Sequence, residues 1–390
     1  MMKQFRMRWW LALAAAVFLT SVAAAASPDP TQLHALDRLF AQEYAAHPLG
    51  SLTVGVVQGK RLAWTKSYGF ADELNRTPAT RDTVYRIGSI TKQFTAVMLL
   101  QLVASGKVRL SDPVVKYYPE IERLEGWPPA RPITLLELAT HRGGLAREPD
   151  GCLGRAARDC QYQIGPVATW EQTLEAALPH VRIESTPGSA FSYSNVGYAI
   201  LGAALAKAAD VPYTRYVREN IFEPLGMTHT GFEPDADMRR HLAKGYIGLP
   251  TGYDSKSAAS ELLEGRGYKV PNGAIFTTVG DLAKFVSFEM GDGPEDVLKR
   301  DVLRANRARA FATHSSLGLD HAQGVSYGVG FAKMTVNGHI VMGHDGDVAG
   351  YSAVALFDPN GHIGIICLRN SSNGAYREAA IRALVSILAK

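Results

Sequence analysis

Strand-forming segments lie near both ends of this 390-residue chain, and they limit the possible folds more than any other feature. Residues Ser51–Val57 and Arg61–Tyr68 have the composition of a hairpin around the turn Gln58-Gly59-Lys60. From about residue 272 onward, a helical pattern is followed by three or more strands and a closing helix. Because a lone hairpin is marginally stable in water, we expect the early strands to pair with the late ones. The predicted fold class is therefore α/β of the α+β type, with an antiparallel sheet flanked by helices and an inserted, mostly helical region.

The first of three short motifs is Ser89-Ile90-Thr91-Lys92. Apolar residues at helical spacing follow it, so Ser89 is predicted at or beside a helix N-terminus, where backbone N–H groups favour a developing negative charge. Lys92 lies three residues further on the same face, within reach of the serine hydroxyl. If packing excludes water, the pKa of its ammonium falls and the neutral amine can take the serine proton. The alternative is a helix cap followed by a solvated lysine.

The second motif is Tyr193-Ser194-Asn195, which follows a turn-rich segment and precedes a helix of small residues. A tyrosine beside a cationic lysine can have a lowered pKa and move protons, and an asparagine amide can bind a substrate carbonyl. Ordinary turn chemistry with a packed tyrosine is the alternative interpretation.

The third motif, His344-Asp345-Gly346, lies between two segments of strand composition. His344 is expected near the end of an antiparallel strand whose edge can bind an extended acyl or peptide group. Histidine has a pKa close to neutrality, which suits proton transfer, although a single strand histidine is more often structural.

The three motifs, in this order, resemble those of the serine β-lactamase and penicillin-binding protein superfamily, in particular its class C β-lactamase, D,D-peptidase and esterase-like branch. Further family-like segments support the resemblance: Val84–Ser89, Leu110–Val114, Leu135–His141, Pro187-Gly188, Pro224–Met227, Gly273–Thr278 and Asp281-Leu282. The resemblance implies a β-lactamase/transpeptidase-like fold and a serine acyl-transfer mechanism. It also implies the residue roles. Ser89 would be the nucleophile, Lys92 its proton acceptor or electrostatic partner, and Tyr193 a proton-transfer residue. The residues expected to bind substrate are Asn195, His344 and Gly346, and the backbone N–H groups of Ser89 and Asp347 would form the oxyanion hole.

The third motif departs from the lysine found at its first position in many β-lactamases. His344 brings at most a partial charge near neutral pH, and Asp345, unless it points away, opposes carboxylate binding by about 1 kcal/mol or more. We therefore expect an exported serine hydrolase that acts on D-amino-acid peptides, amides or esters. Peptides derived from the cell wall are among the candidate substrates. The alternatives are a class C-like β-lactamase and a penicillin-binding sensor or non-catalytic binding module.

An export signal is predicted for residues 1–26. Lys3, Arg6 and Arg8 precede an apolar segment, Trp9–Leu19, and Ala23–Ala26 offer small-residue cleavage sites. The apolar segment is short for a membrane span, although a retained anchor is the alternative. We expect a periplasmic or secreted protein with no stable membrane span after signal removal.

The rest of the chain is predicted to divide into a discontinuous sheet domain, residues 27–88 and 270–390, and a mostly helical region, residues 89–269, which carries the nucleophile helix. The formal net charge of +4 includes three charges from the signal segment and falls to about +1 without them, so nucleic acid is not an expected partner. The expected partner is a small-molecule or peptide substrate.

Three cysteines and the scattered histidines complete the sequence-based predictions. Cys152 and Cys160 are candidates for a disulfide after export, with free thiols as the alternative. Cys367 has the surroundings of a small buried hydrophobic residue. His141 is interpreted as structural. No cluster with metal-ligand spacing and no phosphate-binding loop is found in the sequence, so no metal or cofactor is predicted.

Overall fold

The computed structural model describes residues 29–150, 169–249, 252–256, 267–313, 323–372 and 376–389. The α-helices in these ranges are α1 Pro30–Ala46, α2 Thr91–Ala104, α3 Leu135–Ala139, α4 Trp170–Ala177, α5 Asn195–Ala209, α6 Tyr213–Val217, α7 Ala236–His241, α8 Val270–Gly273, α9 Val279–Met290, α10 Arg300–Arg307 and α11 Tyr376–Leu388. The strands are β1 Ser51–Gln58, β2 Arg61–Asp72, β3 Thr77–Pro78, β4 Tyr85–Arg86, β5 Ile247–Leu249, β6 Gly252–Asp254, β7 Phe276–Thr277, β8 Phe311–Ala312, β9 Gln323–Tyr327, β10 Ala332–Val336, β11 His339–Val348, β12 Tyr351–Asp358 and β13 Ile363–Arg369.

The main sheet has nine strands in the order β3-β2-β1-β13-β12-β11-β10-β9-β8, and every pair that its register defines is antiparallel. The hairpin β1–β2 does not stand alone, since β1 pairs along its length with β13 from Leu52↔Arg369 to Gln58↔Ile363. This pairing confirms that the early and late strands form one sheet. The predicted fold class is confirmed as well.

Both faces of the sheet are covered, and all eight residues of β1 are buried. On one face, Leu36 and Phe40 of α1 pack with Ala380 and Leu384 of α11 against the strands. On the other face lies a larger core that includes α2, α5 and α9. Burial on both faces explains the nearly continuous apolar composition of the central strands.

Helix α2 lies within this larger core, and eleven of its residues are buried, Lys92 among them. A helix that is apolar all round is expected to be an interior helix. The two short strands β5 and β6 form a hairpin within the predicted mostly helical region, and two helices, α9 and α10, precede the late strands. The division into a discontinuous sheet domain and an inserted region stays a prediction.

Cys367 is fully buried and unbonded, which confirms its interpretation as a small core residue. Cys152, Cys160 and the predicted signal segment lie outside the described residues. Within the described ranges, no helix is both long enough and apolar enough to cross a membrane. The same ranges contain no group of three or more His, Cys, Asp or Glu residues arranged to hold a metal ion.

Candidate active site

Ser89 lies in a single 3-10 turn, Gly88–Ile90, immediately before α2, as the helical pattern predicts. Gly88 has a φ of 50°, a conformation that favours glycine. The turn packs closely against β11. A methyl group at Gly346 would lie 2.0 Å from the carbonyl oxygen of Ile87 and 2.8 Å from the backbone nitrogen of Ser89. Glycine at position 346 therefore permits the contact that holds the serine beside the strand.

Lys92 projects from the first turn of α2 and has no solvent exposure. Its Nζ lies 3.1 Å from Ser89 Oγ, 2.7 Å from Asn195 Oδ1 and 3.0 Å from the carbonyl oxygen of Asn272. Burial holds the pKa of Lys92 well below its usual value. A neutral amine has two N–H donors and one lone pair. The two fixed acceptors can take both donors, which leaves the lone pair for the serine hydroxyl.

Asn195 connects Lys92 with a buried carboxylate. While its Oδ1 accepts from Lys92, its Nδ2 donates to Glu148 Oε1 at 2.6 Å. Glu148 Oε2 accepts from the Tyr268 hydroxyl at 2.5 Å, and Lys269 Nζ lies 3.5 Å from Oε1. The amide oxygen of Asn195 therefore faces the lysine, and one N–H of its Nδ2 group remains for a substrate carbonyl.

The Tyr193 ring lies beside the Lys92 amine and the Arg147 guanidinium. Lys92 Nζ is 4.9 Å and Arg147 Cζ is 4.7 Å from the ring centroid. Burial raises the pKa of Tyr193 well above its usual value, and its hydrogen bond with Ser89 only partly opposes this. The expectation of a lowered pKa is therefore wrong, because desolvation of the phenolate outweighs the opposing effects of the Ser89 hydrogen bond and the Arg147 charge. Tyr193 is a neutral phenol at neutral pH.

His141 is buried and packs against Tyr193, with ring centroids 4.1 Å apart. Its Nδ1 accepts from the backbone N–H of Ser194 at 3.0 Å. Burial holds its pKa well below the usual value, so the ring is neutral and carries its proton on Nε2. The structural interpretation of His141 fits this burial, and the contacts add a specific effect, since the ring orients the second motif.

His344 lies on β11 and is 4% exposed. Its Nε2 is 2.9 Å from the Tyr327 hydroxyl, and its Nδ1 is 2.5 Å from the carbonyl oxygen of Asp345. A carbonyl oxygen only accepts, so Nδ1 carries the proton and Nε2 accepts from Tyr327. Burial lowers the pKa of His344 to about 4. The imidazole is thus uncharged near neutral pH and does not replace the positive charge of a lysine.

Arg377 of α11 offsets the negative charges at the third motif. Its Nε lies 2.5 Å from Asp345 Oδ2, and its Nη2 contacts Asp347 Oδ2. Asp347 Oδ1 also accepts from the Tyr376 hydroxyl at 3.0 Å. The repulsion of a substrate carboxylate by Asp345 is therefore weaker than expected from the motif alone.

A cleft of about 310 Å³ opens over these groups. It brings together the following residues of the three motifs: Ser89, Tyr193, Asn195, His344, Asp345, Gly346 and, just after the third motif, Asp347. Pairing of β11 with β10 ends at Gly343, so residues 344–348 have no strand partner on that side among the described residues. This edge of β11 can pair with an extended substrate.

Sequence reasoning missed Glu148, Asn272, Arg147 and Tyr327 as site residues. Glu148 and Asn272 reach Lys92 or its partner from positions far along the chain. A family-like segment, Gly273–Thr278, directly follows Asn272 and is a signal that could have identified it, whereas Tyr327 lies in an ordinary strand pattern without one.

The nine-stranded antiparallel sheet, the helices on both faces and the cleft with its three motifs define a member of the serine β-lactamase and penicillin-binding protein superfamily. The chain belongs to the Beta-lactamase family, whose model matches residues 36–389. The chain is an enzyme, a serine hydrolase of this family.

Two relatives and one solved structure illustrate the similarity. The chain is 34% identical to the D-alanyl-D-alanine-carboxypeptidase/endopeptidase AmpH of Escherichia coli strain K12 over 283 residues, which are 70% of this chain and 67% of that protein. It is 32% identical to Beta-lactamase-like protein 2 of Dictyostelium discoideum over 277 residues, 68% of this chain but only about half (48%) of that protein. The octameric penicillin-binding protein homologue from Pyrococcus abyssi superimposes with a TM-score of 0.76 at 26% identity, over 92% of this chain and 78% of that chain.

Proposed function

We propose that this enzyme hydrolyses amide or ester bonds of D-amino-acid peptides through an acyl intermediate on Ser89. The contact between Ser89 Oγ and the buried Nζ of Lys92, at 3.1 Å, carries this proposal. It pairs a nucleophile with a base whose pKa is lowered by burial, which is the arrangement that serine acylation requires.

Acylation begins with proton transfer from Ser89 Oγ to the neutral Nζ of Lys92. The serine oxygen attacks the substrate carbonyl carbon, and the carbonyl oxygen becomes an oxyanion. We assign its stabilisation to the backbone N–H groups of Ser89 and Asp347, which the tight packing at Gly88 and Gly346 brings side by side. The charged lysine keeps its hydrogen bonds to Asn195 and Asn272 during this step.

Collapse of the tetrahedral intermediate requires a proton on the leaving group. Tyr193 is protonated at neutral pH and hydrogen-bonded to Ser89, so we assign it the role of proton donor to the leaving amine or alcohol. The resulting phenolate is restored by the Lys92 ammonium, beside which its ring lies. Water then hydrolyses the acyl-enzyme by the reverse sequence of proton transfers.

Substrate preference follows from the shape and charge of the cleft. The unpaired edge of β11 suits an extended peptide, and the spare N–H of Asn195 suits an amide carbonyl. Exposed Arg147 has no ion-pair partner among the described residues and provides a positive charge for an anionic group on the substrate. The similarity to the carboxypeptidase AmpH supports D-amino-acid peptides as the substrate class.

Intact-mass spectrometry with parallel product assays tests this function. The protein is mixed separately with a D-alanyl peptide, a p-nitrophenyl acyl ester and a fluorescent penicillin, and Ser89→Ala serves as the inactive variant. We expect a transient adduct and turnover with the peptide or ester, and neither with Ser89→Ala. Labelling that persists in Ser89→Ala contradicts the nucleophile assignment.

The penicillin sample separates the other candidate functions. Fast turnover of penicillin together with inertness toward peptides and esters indicates a β-lactamase. A stable penicillin adduct without any turnover indicates a sensor. For Ser105→Ala, a matched control on an exposed serine at the end of α2, we expect unchanged adduct formation.

Export of the enzyme to the periplasm or the medium is also a proposal, supported by the charge and hydropathy pattern of residues 1–26. Peptide mass mapping of the protein from fractionated cells tests it. We expect the mature N-terminus close to Ser27, and a cytosolic protein with residues 1–26 retained contradicts it.

A further inference from the structure

A second cavity, of about 680 Å³, lies between α10, the end of α9 and the sheet. It shares no lining residue with the catalytic cleft. Ile340 and Met342 of β11 form part of its wall, and they belong to the same strand as His344 of the cleft. Its volume is within the range of small-ligand sites in proteins.

The walls of this cavity are strongly cationic. Arg300, Arg304 and Arg307 follow one another at spacings of four and three residues, so they share one face of α10 and span about 10 Å along its axis. Lys333 of β10 adds a fourth cation from the sheet. Like charges at these spacings repel one another, although Arg304 and Arg307 in the last turn also interact favourably with the C-terminal end of the helix dipole.

Carboxylates offset part of this charge, since Glu289 and Asp292 both act to raise the pKa of Arg307. Asp292 is the acidic side chain in the wall, and it lies 2.6 Å from His362 Nδ1. Arg300 lies 3.5 Å from Glu295 in an exposed pair. Arg304 and Lys333 have no ion-pair partner among the described residues.

Arg307 is anchored in the wall of the cavity by the backbone of α9. Its Nη2 donates to the backbone carbonyl of Glu289, but its Nε is buried without a hydrogen-bond partner in the described part of the chain. A buried N–H group without an acceptor is costly, so this guanidinium adds to the unfavourable free energy of the cationic wall. Guanidinium groups bind phosphate oxygens in paired, charge-assisted hydrogen bonds.

We propose that this cavity is a binding site for an anion with two or more phosphate groups, held by Arg300, Arg304, Arg307 and Lys333. A single phosphate contacts one or two of these cations, whereas a chain of phosphates extends along the arginine face of α10. The site is separate from the acylation chemistry, so its occupation does not require Ser89.

Isothermal titration calorimetry of the full protein at 0.15 M salt tests the proposal, with tripolyphosphate as the probe. Orthophosphate and citrate provide the single-phosphate and carboxylate comparisons. We expect one tripolyphosphate per chain and at least tenfold weaker binding of both comparison anions. Citrate binding as tight as tripolyphosphate overturns the assignment to phosphate, and absence of tripolyphosphate binding overturns the site.

Charge-removing variants locate the bound anion. Arg304→Gln and Lys333→Gln are expected to weaken tripolyphosphate binding about tenfold each while leaving ester hydrolysis unchanged. Arg382→Gln, an exposed arginine on α11, and Arg147→Gln in the catalytic cleft are the matched controls and should bind as the unmodified protein does. If Arg382→Gln weakens tripolyphosphate binding equally, the anion is attracted diffusely to the surface. If binding is weakened only in Arg147→Gln, the anion lies in the catalytic cleft. Either result overturns the proposal.

Discussion

Glu148 and Lys269 are expected to tune the pKa of the proposed base in opposite directions. Burial lowers the pKa of Lys92, the Glu148 carboxylate partly restores it, and the Lys269 ammonium lowers it further. Glu148→Gln should therefore lower the pKa of Lys92, and Lys269→Gln should raise it. Both side chains are nearly buried. Glu148 contacts Asn195, a partner of Lys92, and Lys269 contacts Glu148, so the variants change charge near the base without altering a direct contact of Lys92.

The magnitude follows from the hydrogen-bond chain. The links from Lys92 to Asn195 and from Asn195 to Glu148 measure 2.7 Å and 2.6 Å. With the width of the amide they place the carboxylate about 7 Å from Nζ, where an effective dielectric constant of about 20 gives about 2 kcal/mol. Lys269 is present in both proteins and does not alter this difference, so at about 1.4 kcal/mol per pKa unit we expect the pKa of Lys92 to fall by about 1.5 units in Glu148→Gln.

The pH dependence of kcat/KM for a p-nitrophenyl ester measures this change. If neutral Lys92 is the base, activity is lost as pH falls through its pKa, so the acid limb moves to lower pH in Glu148→Gln and to higher pH in Lys269→Gln. Shifts of the acid limb in the same direction, or no shift in either variant, refute this reasoning. If the charged ammonium were required instead, the alkaline limb would move and the acid limb would not.

Three further predictions concern the third motif and the cleft. The folded pKa of His344, about 4, lies below the unfolded value, so unfolding takes up protons and the protein loses about 3 kcal/mol of stability between pH 6.5 and 4. Urea unfolding at the two pH values should show that His344→Gln loses less stability than the unmodified protein. An equal loss contradicts the assignment of this pH dependence to His344. Gly346→Ala forces a methyl group against backbone atoms and should reduce ester kcat/KM about 100-fold or more. In the control Gly280→Ala, the nearest side-chain atom lies 3.8 Å from the added methyl group, so this variant should retain activity. Equal activities of the two variants contradict the packing argument. Arg147→Gln should raise KM for a D-alanyl peptide with a free carboxylate more than for its amide, and equal changes in KM exclude Arg147 from binding that charge.

Local patterns in the sequence predicted several elements and one key contact. The hairpin β1–β2 and the closing helix α11 each follow from periodicity and turn residues within one short segment of the chain. The contact between Lys92 and Ser89 was also predicted from local sequence, because a spacing of three residues at the start of a helix determines it.

Other properties of the site depend on contacts between distant parts of the chain. The expected lowering of the Tyr193 pKa was wrong, because the motif shows a nearby lysine but not the burial that raises the pKa. The expected repulsion by Asp345 is offset by Arg377, which lies 32 positions later on α11. Neither burial nor such a pairing has a local sequence signal.

By itself, the sequence determined the order of the motifs, the strand and helix periodicity and the neighbouring positions of Ser89 and Lys92, since these depend on backbone geometry over a few residues. Only the tertiary structure decided the electrostatics: the partners of the Lys92 amine come from positions 103 and 180 residues away, and Glu148 lies behind one of them. The physical reason is that desolvation and Coulomb interactions depend on distance in space, and folding brings together groups whose separation along the chain carries no information about that distance.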